Sequence, residues 1–83
     1  ARHFVRQELG SLAGDDESSL RLRATLSIFL EEQASFVNAA ARLGVHKNTV
    51  AYRIRRAEEL LGRAVRDRPL ELQTALRIAD LGL

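Results

Sequence analysis

Amide, hydroxyl and cationic side chains are concentrated in the segment 47–56, which contains Lys47, Asn48, Thr49, Tyr52, Arg53, Arg55 and Arg56. In a DNA major groove, an Asn amide pairs with adenine, and an Arg guanidinium group pairs with guanine or with phosphate. Hydroxyl groups, Lys and the free amides at a helix start also hold phosphate. These residue types therefore indicate contact with a nucleic acid, provided that one exposed surface presents them.

The apolar residues of the same segment predict the helix that would present this surface. At about 100° per residue, an arc of roughly 60° contains Val50, Ile54, Ala57 and Leu61. The opposite side contains Asn48, Tyr52, Arg55 and Arg56. Such a helix buries its apolar stripe against a core and leaves the polar face free. We place this recognition helix at about residues 47–61, ended by Gly62, with its first turn at the base edges.

Several of these side chains have a second, structural interpretation. Asn48 and Thr49 can cap their own helix, and Tyr52 can lie over a neighbouring helix. Arg53 lies near the edge of the predicted core, where it contacts phosphate or pairs with a carboxylate of the chain. His46 precedes the helix and has no Cys, carboxylate or second His at the spacing of a metal site, so we assign it to the helix start or to packing.

A second, shorter helix is predicted directly before the recognition helix. It covers residues 36–42, with Ser35 as its N-cap and Phe36, Ala40 and Leu43 on its inward side. Gly44 supplies the positive φ angle that a tight turn after a helix requires. Two helices joined in this way make a helix-turn-helix, the arrangement that places its second helix in the major groove.

The rest of the chain predicts three further helices, giving an all-α domain of about five helices. Residues 2–12 and 20–32 have helical apolar spacing, and the helix 20–32 is apolar on two sides, as a central helix would be. Its start is assigned to Ser18 or Asp16. Pro69 begins the last helix, 70–81, whose core side holds Leu72, Ala75, Leu76 and Ala79. Its other side holds Leu70, Ile78 and Leu81, which indicates a subunit contact, docking to another domain or wrapping by the other helices.

Composition limits the classes of function. With 83 residues and 46% hydrophobic content, the chain has room for one core, so we assign residues 1–83 to a single domain. Without Cys it has no disulfide and no thiolate metal site. The longest apolar run is far too short to span a bilayer, so we expect a soluble cytoplasmic protein with no membrane partner. No nucleophile with a His and Asp arrangement and no phosphate-binding loop is present, so we predict neither enzyme activity nor a cofactor.

Charge is distributed unevenly, although the net charge is only +2. Residues 42–68 hold eight basic side chains and three acids, whereas residues 8–32 hold six acids and two basic side chains. The second half is therefore expected to attract a polyanion and the first half to repel it.

The motif residues resemble the C-terminal DNA-binding domain of PucR-type bacterial transcription regulators. The resemblance is carried by LGVHKNTV at 43–50, YRI at 52–54 and EELLG at 58–62. Shorter matches lie at residues 9–12, 25–26, 29–30 and 75–76. More distantly, residues 40–54 are similar to the Fis-type helix-turn-helix. The family commonly has Arg where this chain has Ala51, which removes one positive group from the recognition helix.

This resemblance implies the output domain of a regulator of a catabolic or metabolic operon. Its partner would be double-stranded DNA, bound as a homodimer or higher homo-oligomer. A small-molecule effector would act only through an N-terminal sensor region, to which residues 1–14 would be the lead-in helix. The alternative is a helical protein-interaction or dimerisation module in which the basic helix is merely solvated.

Overall fold

Five α-helices form the fold in the computed structural model, which describes residues 1–82. They are α1 (Arg2–Leu9), α2 (Glu17–Glu31), α3 (Phe36–Leu43), α4 (Lys47–Leu61) and α5 (Pro69–Leu81). A 3₁₀ turn, Gly10–Ala13, follows α1, and there is no strand among these residues. The predicted all-α fold of five helices is confirmed. None of the helices in the described range is long and apolar enough to cross a membrane.

Helix α2 lies at the centre of the domain and packs against α3, α4 and α5. It begins at Glu17, three residues before the predicted start, because Asp16 caps it. The Asp16 carboxylate accepts hydrogen bonds from the Ser19 hydroxyl at 2.7 Å and from the Ser19 backbone N–H at 3.1 Å. These two bonds hold the pKa of Asp16 below its usual value. Of the two predicted caps, Asp16 is therefore the one used.

The predicted helix over residues 2–12 is interrupted at Gly10, and α1 ends at Leu9. Gly10 has a φ angle of +55°, and a Cβ atom at this position would lie 3.3 Å from the carbonyl oxygen of Leu60. Only glycine fits both the angle and this close approach without strain. The chain after α1 therefore lies directly against the C-terminal end of α4.

A buried ion pair fastens α1 to the same end of α4. The Glu8 carboxylate accepts a hydrogen bond from the Arg63 guanidinium group at 3.0 Å, and their side chains are only 8% and 13% exposed. Arg68 approaches the same carboxylate oxygen at 3.7 Å. Arg63 also donates to the carbonyl oxygen of Asp67 at 2.8 Å. Through Arg63, the loop after α4 is therefore bonded both to its own backbone, at Asp67, and to Glu8 of α1.

The core is formed by fourteen buried apolar residues: Leu9, Leu12, Leu22, Leu26, Phe29, Ala39, Ala40, Val50, Ile54, Ala57, Val65, Leu72, Ala75 and Leu76. Three of the four predicted stripe residues of α4 are among them, and the fourth, Leu61, is half-buried at the edge. Helix α4 packs against α2, α3 and the 3₁₀ turn. Helix α4 is therefore held by its apolar side, as predicted.

One detail of the predicted inward faces is wrong. Phe36 is 40% exposed, and it packs on Phe29 with ring centroids 4.8 Å apart, while Ala39 is the fully buried residue of α3. Helix α5 packs the half-buried Ala79 against the core, as predicted. Its second face is open at Leu70 and Leu81, which are 74% and 64% exposed.

Replacing Ile54 by Ala should destabilise the domain by about 2–4 kcal/mol, because Ile54 is 4% exposed and its removal leaves a cavity beneath α4. Urea unfolding followed by circular dichroism measures this loss. Leu70→Ala is the control, since an exposed side chain of similar size should change stability by less than about 0.5 kcal/mol. Equal effects of the two substitutions would contradict the assignment of the buried face.

Replacing Glu8 by Ala should cost about 3 kcal/mol of stability, because it leaves the buried Arg63 guanidinium group without its carboxylate. The control is Glu17→Ala, which breaks the pair between Glu17 and Arg21 at 3.3 Å on the surface. That exposed pair should contribute less than about 0.5 kcal/mol. Thermal and urea unfolding of both variants test the difference, and a stable Glu8→Ala variant would show that the buried pair does not hold α1.

Candidate nucleic-acid interface

A tight turn sets the angle between α3 and α4. Ser35 caps α3 by accepting the Asn38 N–H at 3.1 Å, as predicted. Helix α3 ends at Leu43, and Gly44 follows in the left-handed conformation with φ +70°. The N–H of Val45 then donates to the carbonyl oxygen of Ala40 at 3.1 Å, which closes the turn. The predicted helix-turn-helix geometry is present, with one residue more in α3.

His46 begins α4 through its side chain. Its Nδ1 atom accepts the N–H of Asn48 at 3.0 Å, and its carbonyl oxygen accepts the N–H of Thr49 at 2.9 Å. This hydrogen bond occupies the lone pair of Nδ1. Within residues 1–82, no group of three His, Cys, Asp or Glu side chains could hold a metal ion. His46 therefore serves the helix start, as the sequence indicated.

The first turn of α4 presents its side chains to solvent. Lys47 and Asn48 are exposed, and Thr49 is half-buried. Since His46 is the capping side chain, the Asn48 amide and the Thr49 hydroxyl take part in no side-chain hydrogen bond within the described part of the chain. Tyr52, one turn later, is 60% exposed. These polar groups are available to an external partner.

Arg53 lies at the boundary between the core and the exposed face. Its guanidinium group donates to the hydroxyl of Thr25 on α2 at 3.2 Å, and Thr25 is only 1% exposed. The intramolecular partner is thus a hydroxyl group, where a carboxylate was considered as the alternative. Because the hydroxyl carries no charge, the positive charge of Arg53 stays uncompensated by this contact.

Arg55 and Arg56 differ in their surroundings, although the sequence analysis places both on the polar side of the recognition helix. Arg56 pairs with Glu59 at 3.0 Å across one turn of α4. Arg55 is exposed and has no ion pair with any residue of the described range. Glu59 points to the same side as Tyr52 and Arg55 by helical spacing. The C-terminal half of the exposed face therefore carries a negative charge that composition alone did not reveal.

Three of the six acids in residues 8–32 contact basic side chains of the segment 42–68. Glu31 and Glu32 contact Arg42 at 2.9 and 3.0 Å and raise its pKa, and Glu8 contacts Arg63 and Arg68. With the Glu59 pair, four of the eight basic side chains in residues 42–68 are engaged. The basic residues of this segment without an ion pair in the described structure are Lys47, Arg53, Arg55 and Arg66. Three of these four lie on α4.

An apolar surface beside the first turn of α4 escaped sequence reasoning. Val37 on α3 is 63% exposed, and the neighbouring Phe36 is partly exposed as well. Both residues line a groove together with Ala51 of α4. A helical wheel gives the side of α3 on which Val37 lies, but it does not show that α4 leaves that side open.

The comparisons with known proteins agree with this geometry. The profile of the PucR C-terminal helix-turn-helix domain matches residues 22–78, from α2 to α5. The purine catabolism regulatory protein of Bacillus subtilis (strain 168) is 39% identical over 82 residues, which are 96% of this chain and 15% of that protein. The transcriptional activator PmfR of Paenarthrobacter nicotinovorans is 42% identical over 65 residues, 78% of this chain and 14% of that protein.

A further relative is an uncharacterized protein in the pkwA 5′ region of Thermomonospora curvata, 48% identical over 62 residues, which are 75% of this chain and 34% of that protein. The chain therefore spans about a third or less of the length of these three relatives. No solved structure matches the chain significantly.

Proposed function

Because the chain belongs to the family of PucR C-terminal helix-turn-helix domains, a non-enzymatic family of transcription regulators, we propose that it binds duplex DNA with α4 in the major groove. The observation that carries this proposal is the two-sided environment of α4. Val50, Ile54 and Ala57 are buried, while the opposite side is open and carries amide, phenol and guanidinium groups. A major groove about 12 Å wide admits one such helix.

The polar residues of α4 divide into base-reading and phosphate-binding groups in this proposal. Asn48 and Tyr52 lie near the middle of the exposed side, where they reach base edges, and the free Asn48 amide suits adenine. Lys47 and Thr49 flank the first turn and contact phosphate. Arg55 lies one turn after Tyr52 and binds guanine or phosphate. Arg53 and Arg56 contribute at the sides, since each already has an intramolecular partner.

A single domain of this kind contacts too little DNA to recognise a long sequence by itself. One recognition helix reads only a few base pairs, and a single module buries about 600–1,000 Å². We therefore propose that the chain binds DNA as part of a homodimer or higher homo-oligomer. The names of two relatives, a regulator of purine catabolism and a transcriptional activator, support a role in controlling a metabolic operon. The effector would act through an N-terminal region of the regulator.

A second candidate function rests on the open side of α5. Leu70 and Leu81 are exposed there, and a partner protein could cover them. The two functions respond differently to salt. DNA binding weakens by nearly one power of the salt concentration for each phosphate neutralised, whereas contact between apolar surfaces hardly changes.

Arg55→Ala should weaken binding to a fluorescently labelled duplex about fivefold or more and should reduce the slope of log affinity against log salt by about one. The reason is that Arg55 is exposed on the open side of α4 and has no ion pair within the described chain. Fluorescence anisotropy at several salt concentrations measures both quantities. The matched control is Arg77→Ala, which removes an exposed guanidinium group from α5. Equal losses for the two variants would indicate a general effect of net charge and would contradict the assignment of α4.

Glu59→Gln should strengthen binding to the same duplex about twofold to fivefold, the scale of one unit-charge interaction in water. The substitution removes a carboxylate from the open side of α4 and releases Arg56, which it holds at 3.0 Å. Glu71→Gln changes the net charge equally on α5 and is the control, for which we expect little change. Unchanged or weaker binding by the Glu59 variant would mean that DNA does not approach the C-terminal half of α4.

A further inference from the structure

A groove with an apolar floor lies between the starts of α3 and α4, next to the proposed base-reading turn. We call it the α3–α4 groove, and its lining residues are Ser35, Phe36, Val37, Lys47, Asn48 and Ala51. Val37 is 63% exposed, and the short side chain of Ala51 leaves the space above it open. Apolar surface thus lies next to Lys47 and Asn48 of the first turn of α4.

The polar rim of the groove limits what can occupy it. Lys47 is exposed and has no ion pair in the described chain, and no acidic residue lines the groove. Ser35 accepts the N–H of Asn38 through its Oγ atom, so its hydroxyl proton stays free to donate. A fitting partner therefore carries negative charge at the rim and an apolar group that reaches the floor.

We propose that the α3–α4 groove receives the 5-methyl group of a thymine, with Val37 as the residue that selects it. This inference rests on the proposed binding of duplex DNA by α4. The thymine methyl group is the one apolar group that base edges present in the major groove, and the phosphates beside it supply the negative charge for Lys47 and Ser35. Asn48 lies at the same groove, so the thymine would be in or next to the base pair that the Asn48 amide reads.

The size of the effect follows from the apolar contact alone. Burying one methyl-sized group is worth about 0.8 kcal/mol, which corresponds to about a fourfold difference in affinity. Replacing the critical thymine by deoxyuridine removes only this methyl group and keeps the Watson–Crick pair. Loss of affinity on this replacement should therefore be about threefold to fivefold at one position of the bound sequence.

The experiment starts from a duplex enriched out of a random library with the 83-residue chain at low salt. Each thymine of that duplex is replaced singly by deoxyuridine, and the affinities are measured by fluorescence anisotropy. The wild-type chain and the Val37→Ala variant are compared on the most sensitive replacement. Leu20→Ala is the matched control, because Leu20 is a 50% exposed apolar residue near the start of α2, whereas α3 follows the end of α2.

We measure the ratio of the affinity for the thymine duplex to the affinity for the deoxyuridine duplex. At one thymine this ratio should be about three to five for the wild-type chain and for Leu20→Ala. For Val37→Ala it should be close to one. An enriched duplex that tolerates every deoxyuridine, or an equal penalty in wild type and Val37→Ala, would overturn the thymine assignment while leaving DNA binding intact. A Val37→Ala variant that changes self-association in sedimentation, with unchanged DNA affinity, would overturn it in favour of a second copy of the chain. If no sequence is enriched and the chain also shows no salt-dependent binding to duplex DNA, the proposed function is refuted.

Discussion

The attachment of α4 by a single side is the constraint on which the rest of the structure depends. Val50, Ile54 and Ala57 are buried against the centre of the domain, and this fixes the rotation of α4 about its own axis. A rotation by even one residue, about 100°, would carry apolar groups into water. The orientation of the open side is therefore set by the core and not by any contact of the polar residues themselves.

Local hydrogen bonds also order the first turn of α4 and the loop that follows it. At its start, the His46 imidazole accepts a backbone N–H of the first turn. After its end at Gly62, the Glu58 carboxylate accepts the N–H of Val65 at 2.9 Å and holds the following loop. A helix of 15 residues that is capped at its start and packed along one side presents its free side as an ordered surface. Such preorganisation lowers the entropic cost of binding.

Local signals predicted most of the helix-turn-helix, and contacts between distant residues account for what was missed. Ser35, Gly44 and Gly62 act within one turn of their own helices, so their roles can be read from neighbouring residues. The pair between Glu8 and Arg63 joins residues 55 positions apart, and the helical periodicity of the sequence does not predict it. The exposure of Phe36 likewise depends on how far α4 covers α3.

The difference between neighbouring and distant residues also explains the charge distribution. A count of charges along the chain separates an acidic first half from a basic second half, but folding brings Glu31 and Glu32 to Arg42. Charges far apart in sequence then cancel in space. Lys47, Arg53 and Arg55 of α4 keep no ion pair within the described residues.

The contact between α1 and the end of α4 couples the two helices thermodynamically. Gly10 lies against the last turn of α4, and Glu8 holds the arginine that follows it. Loosening α1 would therefore remove these contacts from the end of α4. Coupling of this kind is reciprocal, so whatever immobilises α4 also makes α1 harder to detach, by the same amount of free energy.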